Sequence, residues 1–215
     1  MIAPPPVTAR PYEPFQCSSA EVRDLAAQFR RHAYAVLGPP ALSPDLHEEL
    51  LREATVERRA SSWVLQGERG RAGVLPQDNV RAQLGTRARE LAAAGATRAL
   101  LAAVTGHTLT PGWSATCLTF YEQAGQYIGA HRDKDDVCQY ALLLYMDARW
   151  PRSRPPGPGL QLHIRDHDDQ AVAARITARP NRAIILHGAR LTHFRPPLGP
   201  RESLVMLNAC YAVVA

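Results

Sequence analysis

From Ser19 the apolar positions Val22, Leu25, Ala26 and Phe29 recur at helical spacing, and the Ser18-Ser19 pair before them offers an N-cap, which predicts a first helix through AEVRDLAAQFRRH. YAVL at 34–37 reads as a short strand closed by Pro39 and Pro40. Ser43 then caps a second helix through DLHEELLREA, with Pro44 in its first turn. Residues 57–77 mix Gly, Arg and Ser without a period and predict a loop able to cover a site, whereas 80–104, rich in Ala, Leu and Arg, predicts a third helix. Beyond Gly106 the apolar segments become short, β-branched or aromatic, and are separated by Gly and Pro. They predict strands near 114–121, 126–131, 138–146, 159–165, 173–178, 182–187 and 203–213. Helices followed by many short strands imply an α+β fold, an antiparallel sandwich or jelly roll packed against N-terminal helices.

Composition narrows the class. The chain has 215 residues, of which 46% are apolar and 21% charged, enough for a sizeable core and too well mixed for wholesale disorder. No uninterrupted apolar run approaches the roughly 20 residues that cross a bilayer, so no membrane partner is expected. The formal charge is +5, and Lys134 is the only Lys, the other basic residues being Arg. Arg suits carboxylates and phosphates, so an anionic ligand is plausible; because the basicity is scattered, nucleic acid is not an expected partner. Cys17, Cys117, Cys138 and Cys210 form no C-x-x-C pair and read as packed thiols. The opening MIAPPPVTARPYEP has neither a charged n-region nor an apolar h-region, so a cytoplasmic setting is expected.

The most informative segment is Tyr121-Glu-Gln-Ala-Gly125-Gln-Tyr127-Ile-Gly-Ala-His131-Arg-Asp133. In extended backbone, residues two apart point the same way, so His131 and Asp133 can offer an imidazole nitrogen and a carboxylate oxygen to one ion. His193, sixty residues after Asp133, lies before the last predicted strand and is a candidate third ligand, with His187, six residues earlier, as a competitor. His163 and His167 fall on or near the polar IRDHDD hairpin, and His107 follows Gly106 at a helix end. Two His and one carboxylate form the facial triad of non-haem Fe(II) oxygenases. By itself H-x-D is a weak signal that also fits a solvated turn. Arg201, entering the last strand after Gly199 and Pro200, could hold the far end of a dicarboxylate chelated by the iron, and Ser203 shares its face. Arg195 spells R-x-x-x-x-x-R with Arg201, a likeness to AlkB-type demethylases that reads as accidental so close to His193.

Residues 113–213 resemble the catalytic core of Fe(II)- and 2-oxoglutarate-dependent oxygenases, most closely the prolyl hydroxylase branch. The resemblance rests on the ordered set Y-x-x-x-G-x-Y-x-x-x-H-x-D, YMDARW, GLQL, NRAIILHG and H-x-x-x-P-x-G-x-R. It implies a double-stranded β-helix (jelly roll) core at 107–215, supported by mainly helical residues 1–106 in one domain. It also implies a metal site of His131, Asp133 and His193, rather than His187, for Fe(II), with 2-oxoglutarate and O₂ as cosubstrates. Arg201 and Ser203 would bind the 2-oxoglutarate C5 carboxylate, and Tyr121 and Tyr145 match tyrosines lining that pocket. With Asp133 present rather than the small residue of halogenating relatives, hydroxylation, desaturation or demethylation is expected. A chain of this size suits a small-molecule substrate, such as an amino acid or biosynthetic intermediate; a peptidyl prolyl-type substrate is the alternative, and a noncatalytic jelly-roll binding protein a third. The 57–79 segment, with Trp63, Arg69, Arg71 and Asn79, and the 149–158 segment are candidate lids.

Overall fold

The computed structural model of the chain describes residues 13–67, 75–166 and 168–214. Helix α1 (Ser19–His32) opens on a closed capping box: Ser18 Oγ accepts from the Glu21 amide at 3.2 Å, and the Glu21 carboxylate accepts from the Ser18 amide at 2.7 Å. Its buried residues are the four that set the sequence period, Val22, Leu25, Ala26 and Phe29. Strand β1 (Tyr34–Leu37) and helix α2 (Pro44–Ala60) follow as expected, α2 starting on Ser43, whose Oγ accepts from the Leu46 amide at 3.4 Å.

The next stretch departs from expectation. In place of a loop at 57–77 and one helix at 80–104 stand the end of α2, strands β2 (Trp63–Gly67) and β3 (Gln77–Ala82), and helices α3 (Thr86–Ala93) and α4 (Gly95–Thr105). In β3, Gln77, Asn79 and Arg81 alternate with Asp78, Val80 and Ala82, a period of two too brief to stand out beside Ala- and Leu-rich helices. Ala94 takes an extended conformation (φ −55°, ψ 139°) and divides the predicted helix ahead of Gly95. Part of the predicted loop, residues 68–74, lies outside the described residues.

The remaining strands are β4 (Leu109–Pro111), β5 (Cys117–Tyr121), β6 (Tyr127–His131), β7 (Tyr140–Arg149), β8 (Gln161–Arg165), β9 (Val172–Thr177), β10 (Arg182–Leu186), β11 (His193–Arg195) and β12 (Ser203–Val213). Among the described residues all twelve join one antiparallel sheet, ordered β1-β10-β7-β12-β5-β3-β6-β11-β8-β9, with β2 beside β3 and β4 beside β12. The sheet curls on itself as a jelly roll, so that β6, β11 and β8 face β5, β12 and β7. Three of its strands come from the half of the chain expected to be mainly helical.

Two cores follow from strand alternation. In β7, Tyr140, Leu142, Leu144 and Met146 join the helix-side core, whereas Ala141, Leu143 and Tyr145 join the core inside the curl. In β12, Leu207, Ala209 and Tyr211 face the helices, and Leu204, Met206 and Cys210 face inward. Burial on both faces explains why β7 reads as a nearly continuous apolar run rather than an alternating one. Each fully buried Leu or Ile contributes about 1.5–3 kcal/mol, and the helix layer thereby holds the outer face while leaving the inner face free to build a cavity. No described helix is long and apolar enough to cross a membrane.

Candidate active site

The inner faces of β3, β5, β6, β11 and β12 enclose a cavity of about 360 Å³, within the size range of small-molecule sites. Register places the two imidazoles: His193 of β11 pairs directly with His131 of β6, and their ring centroids are 4.3 Å apart. Asp133 follows two residues beyond the end of β6, tied down by its own amide, which donates to the Gly188 carbonyl at 3.0 Å. One ligand atom from each of His131, Asp133 and His193 lies within 4.8 Å of the others. His131 Nε2 is 3.5 Å from one carboxylate oxygen of Asp133 and His193 Nε2 is 3.9 Å from the other.

The donor set suits a divalent transition metal. His131 Nδ1 donates to the Gly129 carbonyl at 2.9 Å and His193 Nδ1 to the Leu191 carbonyl at 3.0 Å, an arrangement that leaves both Nε2 lone pairs aimed at Asp133. Burial pushes His193 down to about 4, with the neighbouring His131 adding to the effect, so the imidazole is neutral and available as a ligand at pH 7. Burial acts to raise Asp133, but the two imidazoles and the Arg81 guanidinium around it outweigh that and hold the carboxyl below its ordinary value. A neutral His193 and an ionised Asp133 carboxylate result.

Gly188 makes room for this arrangement. A Cβ built there would fall onto Asp133 Oδ2. Gly188→Ala is therefore expected to displace the carboxylate and weaken metal binding by about 10–100-fold, as loss of an outer-shell support does, with the fold intact by circular dichroism.

Deeper in the curl sits Arg195, only 2% exposed. Its guanidinium donates to Tyr145 Oη at 3.1 Å and to the Gly159 carbonyl at 3.2 Å, and lies 5.4 Å from the Tyr121 ring centre and 5.5 Å from that of Tyr145. Burial raises the Tyr121 phenol even against the pull of Arg195, so it stays a neutral hydrogen-bond donor. No carboxylate pairs with Arg195 among the described residues. A buried guanidinium without a counter-anion, opening on a cavity, is a site for an anionic ligand.

Arg201 and Ser203 are not brought into this cavity, which corrects their expected placement. Arg201 is exposed in the turn before β12, in a left-handed conformation (φ 60°), while Glu202 folds beneath it and accepts from the Gly157 and Gly199 amides. Ser203 opens β12 on the parity of Val205 and Leu207, facing the helix side, whereas Leu204 and Met206 face inward. Tyr121 and Tyr145, expected beside Arg201, lie against Arg195 instead. The signal for Arg195 was available: residues two apart share a face, so Arg195 follows His193 inward just as Asp133 follows His131.

The other histidines stand elsewhere. His187 packs on Tyr140 with ring centroids 4.5 Å apart, and its buried Nδ1 has no hydrogen-bond partner among the described residues. The His107 ring centroid lies 5.7 Å from that of the same Tyr140. His163, read on or near the polar hairpin, is buried within β8, its ring 5.0 Å from that of Phe194; His167 lies outside the described residues. Of the candidate lids, Leu75 and Gln77 of 57–79 line the cavity, and no residue of 149–158 does. Cys17 and Cys117 are buried thiols as expected, but Cys138 and Cys210 form a disulfide on the cavity wall. Antiparallel pairing of β7 and β12 brings together two cysteines 72 residues apart, which their spacing does not reveal, and the bridge anchors the turn that carries Asp133.

No family model and no curated protein matches the chain. Solved structures do. The non-heme alpha ketoglutarate dependent epimerase SnoN from nogalamycin biosynthesis is 20% identical, with a TM-score of 0.67 over 90% of this chain and 81% of that one. A Pseudomonas putida prolyl-4-hydroxylase is 13% identical, with a TM-score of 0.63 over 90% of this chain and all of its own. HygX from Streptomyces hygroscopicus, solved with nickel, 2-oxoglutarate and hygromycin B bound, is 12% identical, with a TM-score of 0.64 over 89% of this chain and 87% of that one. The chain thus has the fold of the 2-oxoglutarate-dependent non-haem iron oxygenases.

Proposed function

We propose that this chain is an Fe(II)- and 2-oxoglutarate-dependent dioxygenase that hydroxylates a C–H bond of a small molecule, the described residues acting as one catalytic unit. The observation that carries the reading is the convergence of His131, Asp133 and His193, remote in sequence, to within 4.8 Å. These three residues would hold the iron. When bound, iron with 2-oxoglutarate and O₂ supplies the oxidising power for C–H cleavage and releases succinate and CO₂. The chain's own residues bind, orient and exclude water. Arg195, with the hydroxyls of Tyr145 and Tyr121, takes the cosubstrate's distal carboxylate, the role the sequence resemblance gave to Arg201. Leu143, Leu162 and Met206 supply apolar walls. No separate side-chain acid or base is required.

A small substrate is favoured by the cavity volume and by the bound hygromycin B of HygX. The test is anaerobic Fe(II) titration followed by succinate detection with candidate substrates. Stoichiometric iron and substrate-stimulated succinate are expected. Stimulation by proline-containing peptides alone would make the chain a peptidyl hydroxylase, and failure to bind iron would leave a noncatalytic binding protein.

A further inference from the structure

The inner face of β3 presents Gln77, Asn79 and Arg81 in a row, and these side chains bond to one another. Arg81 Nε donates to Asn79 Oδ1 at 3.4 Å and Arg81 Nη2 to Gln77 Oε1 at 3.3 Å, and Asn79 Nδ2 donates to the same Gln77 oxygen at 3.3 Å. Two carboxamides thereby hold the guanidinium in place without neutralising it. Nη1 remains free to donate, and no carboxylate pairs with Arg81 among the described residues. Surface arginines here do find acids: Arg58 pairs with Glu122, Arg132 with Asp169 and Arg149 with Asp147. Arg81 is instead half-buried, lines the cavity and stands in register with Thr119, another lining residue. Asp133 of the metal cluster and Tyr121, which packs on Arg195, line the same cavity. On β12, two strands from β3 across β5, Asn208 lines the same cavity, and its buried Oδ1 is an acceptor with no donor among the described residues.

The cosubstrate has two carboxylates, and the proposed function uses both, one at the metal and one at Arg195. That leaves a second fixed cation and an unfilled acceptor. Resting on that reading, we propose that Arg81 receives the carboxylate of the primary substrate, which is therefore a small organic acid that also carries an N–H or O–H donor for Asn208.

The full chain holding Fe(II) and 2-oxoglutarate under argon is titrated with small amino and hydroxy acids and with their methyl esters, by calorimetry. At least one acid is expected to bind about tenfold or more tighter than its ester. Arg81→Leu should bring that ratio close to one and Arg81→Lys should retain part of it, while 2-oxoglutarate affinity stays within about threefold in both. Equal binding of acids and esters, or no binding of any acid, overturns the proposal. So does a tenfold loss of 2-oxoglutarate affinity in Arg81→Leu, which would assign Arg81 to the cosubstrate. Failure of the parent reading is distinguishable, since the wild-type chain would then bind neither Fe(II) nor 2-oxoglutarate.

Discussion

Arg195→Met is expected to raise the 2-oxoglutarate requirement about a hundredfold, whereas Arg201→Ala should leave it within about twofold. A charge-assisted hydrogen bond to a carboxylate in a dry site is worth up to about 3 kcal/mol, which is roughly two decades in affinity. Arg195 is placed to make such bonds, since it is 2% exposed and already oriented by Tyr145 Oη and the Gly159 carbonyl. Arg201 is exposed in a turn and has no line to the cavity. The same substitution makes a second, independent statement about stability. A buried guanidinium without a counter-anion is a cost to the ligand-free fold, so Arg195→Met should melt at or above the wild-type temperature while losing the stabilisation that added 2-oxoglutarate confers. Calorimetry for affinity and thermal melts with and without 2-oxoglutarate measure both. If Arg201→Ala weakened 2-oxoglutarate as strongly as Arg195→Met, the clamp would have to be reassigned.

Substituting His131 or His193 by Ala should abolish stoichiometric iron and all succinate formation. The effect should exceed the roughly 10–100-fold loss expected for Gly188→Ala, because a direct ligand is removed rather than displaced. His193 is the more telling site. It is buried, held neutral by its surroundings, and its Nδ1 is committed to Leu191, so its Nε2 is fixed toward Asp133. His187→Ala is the control, since that ring packs on Tyr140 and should leave metal content unchanged. Metal analysis after dialysis against Fe(II) reads the outcome. Retention of iron by His193→Ala together with loss in His187→Ala would overturn the ligand set.

Much of the architecture could be read from the chain. The period of Val22, Leu25, Ala26 and Phe29, the caps at Ser18 and Ser43, and the strands at 34–37 and 203–213 reappear in place. Those signals are local, being hydrogen bonds and faces set within a few residues. β3 was masked because six alternating residues precede two Ala-rich helices, and β11 because three residues carry no period at all. The disulfide and Gly188 escaped for another reason, as each depends on what a distant strand brings alongside.

Local alternation by itself determined that His131 and Asp133 share a direction, and the periods along the chain that helices would precede a β-rich half. Only the tertiary structure decided that His193 and Arg195 share a direction and meet that pair, that Arg195 rather than Arg201 stands behind them, and that Arg81 joins the same wall. The reason is physical: strand period tells which face a side chain takes, whereas the register between β6 and β11 and the curl of the sheet choose what that face encloses.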